Sequence, residues 1–109
     1  MTIMQGDSYR IYINLTQNGK ILTPEMIAEV EVYVGAGLRK LFSQGGVMFD
    51  KNTKRWYIHP SQEETLALQA DTTYDVLVRI RYNEKEPAEV VGLNVGRITV
   101  TDSISEAVI

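Results

Sequence analysis

The sequence predicts an all-β protein, an antiparallel β-sandwich of about seven short strands with one helical turn near residues 61–68. Three observations carry this. The dominant hydrophobic period is two, the signature of half-buried strands. Turn residues (Asn, Asp, Gly, Pro) interrupt that period every few residues. Helical segments do not alternate with the strands, which argues against a parallel sheet. A small barrel is the structural alternative. The chain has 109 residues, 44% of them hydrophobic, enough for one core and too few for two. A single domain over 1–109 is therefore expected, with its core over about 5–101 and a loosely attached tail over 102–109.

From Ser8 to Thr16 one face carries Tyr9, Ile11, Ile13 and Leu15, and the other Arg10, Tyr12, Asn14 and Thr16. Asn18-Gly19 then marks a tight hairpin turn, because both residues tolerate positive φ. After Thr23-Pro24-Glu25 the alternation resumes, with Ala28, Val30, Val32 and Val34 inward and Glu29, Glu31 and Tyr33 on a wet face. Gly35-Ala36-Gly37 is a turn, and Leu38–Ser43 a short strand closed by Gly45-Gly46. Val47–Phe49 and Arg55–Ile58 read as a hairpin joined by the polar run Asp50–Lys54. His59-Pro60 stops it, since proline has no N–H for a ladder.

Ser61-Gln62-Glu63-Glu64 has the form of a capping box and starts the helical turn. Tyr74–Tyr82 is the cleanest strand, with Tyr74, Val76, Val78, Ile80 and Tyr82 on one face. Asp75, Leu77, Arg79 and Arg81 form the other face, and Asn83–Pro87 is a charged hairpin loop. The last strand spans about Ala88–Thr101. Its apolar phase changes from odd (Val91, Leu93, Val95) to even (Ile98, Val100) beside Gly96, as a β-bulge would produce. The expected core comprises Ile11, Ile13, Val30, Val32, Trp56, Leu66, Val76, Val78, Ile80, Ile98 and Val100.

Little in the sequence points to catalysis. There is no cysteine, so disulfides, thiolate metal sites and cysteine nucleophiles are excluded together. The single histidine, His59, sits at a strand end and reads as a surface residue. Asp50–Lys54 resembles the opening of a calcium loop, but Lys54 and Trp56 stand where an oxygen ligand and a glycine are required. Glu29 with Glu31, and Glu63 with Glu64, are explained by a solvated face and a helix cap. No catalytic, cofactor-binding or metal-binding residues are expected. Lys+Arg 11 against Asp+Glu 14 gives a net charge of −3, without the basic footprint of a nucleic-acid binder.

The opening residues lack a basic and apolar leader, and no window has the length of a membrane span. Synthesis in the cytoplasm without a signal peptide is expected, with no membrane partner. Two features suggest contact with other molecules. Tyr12 and Tyr33 fall on wet faces, where interface or carbohydrate contacts compete with simple cross-strand pairing. The last strand has no charge between Val90 and Gly96, so Val90, Leu93 and Val95 would offer an unprotected edge, unless they lie mid-sheet.

The order of these features resembles the Ig-like N-terminal domain of siphophage baseplate upper proteins and related prophage tail or fibre modules. The resemblance rests on Gln5-Gly6-Asp7-Ser8-Tyr9, the Gly19 hairpin with Leu22-Thr23-Pro24, and Ser61–Leu68. It continues through Asp71-Thr72-Thr73-Tyr74 and the closing Val95-Gly96-Arg97-Ile98-Thr99-Val100 with Ser103-Ile104, covering roughly residues 5–105. It implies an Ig-like sandwich and a structural role in the virion, with other virion proteins or further copies of the chain as partners and no catalytic residues. Tyr74 is also placed like a tyrosine corner, whose hydroxyl ties back to the preceding turn. A carbohydrate-binding module is the alternative function.

Overall fold

The computed structural model describes residues 1–35, 37–83 and 89–109. The interior of the charged loop expected over Asn83–Pro87, the start of the last strand at Ala88, and Ala36 lie outside the described residues. The protein is all-β, with one α-helix among the described residues, α1 (Gln62–Leu66). A five-stranded sheet has the order β1 (Thr2–Met4), β10 (Val90–Thr101), β9 (Thr72–Tyr82), β5 (Ile27–Val34), β6 (Leu38–Leu41). A three-stranded sheet has the order β2 (Ile11–Ile13), β8 (Arg55–Ile58), β7 (Val47–Asp50). A small ribbon pairs β3 (Thr16–Gln17) with β4 (Lys20–Ile21).

The first expected strand, over Ser8–Thr16, is thus two shorter pieces, β2 and β3. Tyr9 lies ahead of β2 and is exposed rather than inward. The turn between β3 and β4 has φ of 53° at Asn18 and 78° at Gly19, the twist that a two-residue hairpin needs. A further departure is β1, which lies ahead of the expected core and runs parallel to β10, with Ile3 beside Val100. Three residues are too few to show a period, and parallel neighbours are set by long-range packing.

One buried cluster joins both large sheets. Ile11, Ile13, Val47, Trp56 and Ile58 come from the three-stranded sheet; Val30, Val32, Val34, Val76, Val78, Ile80, Ile98 and Val100 come from the five-stranded one. Trp56 is fully buried, with ring centroids 5.3 Å from Phe42 and 5.1 Å from Phe49, and its indole N–H donates to the Leu22 carbonyl at 2.7 Å.

Two core expectations are corrected. Leu66 is only partly buried, and Thr65 and Leu68 fill the interior instead. The helix α1 spans only Gln62–Leu66, so its inward face is set by one turn rather than by a periodic stripe. Ala28 is exposed because the β5–β9 register shifts between Ile27 and Glu29, which leaves Ile27 in the inward position.

Local chemistry behaves as the residues dictate. The α1 cap is reciprocal: Ser61 Oγ accepts from the Glu64 N–H at 3.2 Å, and Glu64 Oε1 accepts from the Ser61 N–H at 2.9 Å. Asp50 Oδ1 accepts from the Asn52 N–H at 2.9 Å, so the run that resembled a calcium loop is a side-chain-capped hairpin turn. The last strand carries its bulge where the phase changes, between Asn94 and Gly96.

Tyr74 ties back to the turn before it, its hydroxyl accepting from the Gln69 N–H at 2.9 Å. Its ring lies against Gly35, where φ is +60° and a Cβ would come within 2.3 Å of the Tyr74 ring. Removing the hydroxyl with Tyr74→Phe should lower stability by about 0.5–1 kcal/mol, since the freed Gln69 N–H is near water. Urea titration of the two proteins, compared at equal m-value, measures it.

Candidate interaction surface

Alternation in β5, β6 and β9 turns Glu29, Glu31, Tyr33, Arg39, Leu41, Leu77, Arg79 and Arg81 to the outer face of the five-stranded sheet. Register then decides which of them meet. Glu31 stands between Arg79 on β9 and Leu41 on β6, one step from Arg39. Its carboxylate accepts from Arg79 Nε at 2.6 Å and Nη2 at 3.0 Å, and it also pairs with Arg39. The wet face expected at Glu31 is therefore closed over by two guanidinium groups, and the residue is only 9% exposed.

The Arg79 hydrogen bonds, joined by those of Arg39, overcome the desolvation and pull the Glu31 carboxyl down to about 2. A depressed folded-state value stabilises the fold above the ordinary carboxylate range, and that contribution is lost as pH falls from about 4.5 toward 2. Glu29, held by Ser43 and the Val30 N–H, and Glu64, held by Lys40 and Ser61, are lowered in the same direction. Glu31→Gln should cost about 1–2 kcal/mol at neutral pH, below the linkage ceiling because both guanidinium groups are more than half exposed. Thermal melts from pH 7 to 2.5 should show a shallower acid limb for this variant than for the parent.

Tyr33 is half-buried on this face, lining a depression of about 350 Å³ with Glu31, Arg39, Leu77 and Arg79. Tyr12 lies on the other sheet. It pairs across the ladder with Tyr57, ring centroids 5.7 Å apart, and the Arg55 guanidinium covers its ring at 3.7 Å. Cross-strand pairing thus accounts for Tyr12, and the two tyrosines do not share a surface. His59 is exposed at the end of β8.

β10 is where the remaining sequence-marked residues gather. It pairs with β9 along its length, but β1 covers its other side only at Thr99–Thr101. The Tyr82 N–H donates to the Glu89 carbonyl. In an antiparallel ladder, Val91 and Leu93 therefore direct their backbone groups to β9, and Val90, Gly92 and Asn94 direct theirs away from the sheet. Among the described residues, nothing pairs with those outward groups. Val90 is 59% exposed on the outer face, and Leu93 and Val95 are half-buried against the core. The opposite edge of the sheet is blunted: β6 is four residues long and carries Arg39 and Lys40.

Sequence reasoning identified the uncharged β10 stretch but not the Glu31–Arg39–Arg79 cluster. The alternation of Glu31 and Arg79 was visible, and their adjacency depends on which strands pair. A depression of about 400 Å³ between Gly37, Leu38, Leu68 and Tyr74 brings in one acid, Glu64, already bound to Lys40 at 2.6 Å. No group of three or more metal-ligating side chains occurs among the described residues, and no described helix is long and apolar enough to cross a membrane. In comparisons with known proteins, no family model, curated protein or solved structure matches the chain.

Proposed function

We propose that the protein is a structural interaction module of a phage or prophage particle, in a tail, baseplate or fibre assembly, and that its two large sheets form an Ig-like β-sandwich. The observation that carries the reading is the open, uncharged edge of β10 from Val90 to Val95, which offers a template for strand addition by another chain. The order of strands and turns that resembles baseplate modules, and the Tyr74 corner, support the architecture. The function is association, without chemistry. Purified candidate partners from neighbouring tail genes should bind the protein, and Val90→Lys should weaken that binding at least tenfold by placing a charge on the edge. Binding unaffected by Val90→Lys, or no binding to any tail protein, counts against the reading.

A carbohydrate-binding module is a second reading, favoured by Tyr33 beside its shallow depression. Tyr12 does not contribute, because Arg55 already occupies its ring face. Glycan binding lost on Tyr33→Ala would favour it.

A further inference from the structure

We infer that the open β10 edge receives the C-terminal segment Ser103–Ile109 of a second copy, so that chains associate head to tail by strand addition. The inference rests on the reading of β10 as an interaction edge and names its occupant. After Thr101 the chain leaves the sheet, bends at Ile104 and Glu106, and exposes apolar side chains: Ile104 is 90% exposed, and Val108 is exposed as well. Its described ties are two polar ones, the Ser103 N–H to Gln5 Oε1 and the Ile109 N–H to Gln62 Oε1. The molecule thus carries an uncovered apolar segment and, among the described residues, an unpaired strand edge.

The two fit by chemistry. Once the segment straightens into a strand, Ile104, Glu106 and Val108 share one face, and Val90, Gly92 and Asn94 share the outer face of β10. Centring Glu106 on Gly92 sets its carboxylate over a position without a side chain. Beyond it lies Arg79, the β9 partner of Gly92, which holds Glu31 while its side chain stays 64% exposed. With the segment antiparallel to β10, Val108 falls opposite Val90 and Ile104 opposite Asn94, beyond which lies the exposed Leu77 of β9. Ser105 and Ala107 fall on the opposite face, beside half-buried Val91 and Leu93, where small side chains suit the space.

The segment cannot fill its own edge. Glu106 lies five residues beyond Thr101, a reach of at most about 18 Å, whereas Gly92 lies nine residues back along β10, about 30 Å away. The occupant is therefore another copy. A head-to-tail contact of this kind repeats, which suits a component present in many copies.

Sedimentation equilibrium of the full chain across a wide concentration range tests this. The parent should show a mean mass that rises with concentration. Gly92→Pro, which removes an outward N–H without touching the β9 ladder, and Glu106→Pro, which removes the facing N–H, should each weaken association at least tenfold with unchanged melting temperature. Val90→Lys replaces Gly92→Pro should that variant fail to fold. Mixing the edge variant with the segment variant should restore a two-chain species and nothing larger, because only one productive contact remains. Association that survives Glu106→Pro but not the edge variant would overturn the inference in favour of β10 pairing with β10. A strict monomer would also overturn it, while tail-protein binding sensitive to Val90→Lys would leave the functional reading intact.

Discussion

Val78→Asp is expected to abolish folding at room temperature. Val78 is 1% exposed in the middle of β9, flanked in the ladder by Val32 on β5 and Leu93 on β10. A carboxylate there would lose its hydration among Val30, Val32, Ile80 and the side chains of the facing sheet. The described cation nearest in register, Arg79, points to the other face and is already bound to Glu31. Burying an uncompensated charge costs several kcal/mol even after its pKa rises, a large part of the total stability of a domain this small. Far-ultraviolet circular dichroism should show loss of the β signal. A cooperative melt like that of the parent would mean that the two faces of β9 are assigned the wrong way round.

Trp56→Ala should cost about 3–5 kcal/mol, for three separable reasons. The substitution empties the largest fully buried side-chain volume of the core. It removes two ring contacts, the edge-on one to Phe42 and the tilted one to Phe49. It also deprives the buried Leu22 carbonyl of its donor, and with it the anchor that holds the β3–β4 ribbon against the core. Trp56→Phe isolates the last effect: it retains most of the apolar area, and about 1–3 kcal/mol of its cost reflects the unpaired carbonyl. Chemical denaturation of the two variants side by side gives the partition. Equal losses for both would mean that the hydrogen bond dominates over the packing.

These expectations depend on faces that the sequence reveals and on contacts that it does not. The alternation from Tyr74 to Tyr82 assigns each side chain of β9 correctly, because a strand that is wet on one side must place an apolar residue at every second position. The same logic mislocates Ala28. A bulge there shifts the phase by one residue, and alanine is too small to show on which side it lies. At Gly96, where flanking valines and isoleucine are large, the corresponding shift is readable. Tyr9 and Leu66 are misplaced because their elements are too short for a period to bind them.

Sequence alone determined what is local in this protein: the period of the longer strands, the positive-φ turn at Asn18-Gly19, the Ser61 capping box, the hydroxyl tie of Tyr74 and the bulge in β10. Each depends on interactions between residues close together in the chain, so the residue types there are sufficient. Only the tertiary structure decided who neighbours whom. It set β1 parallel beside β10, brought Arg39 and Arg79 onto Glu31, divided Tyr12 from Tyr33, and left Val90, Gly92 and Asn94 facing outward. Strand pairing is a long-range choice made by the packing of a shared core, and two strands with the same alternation are interchangeable until that core selects between them.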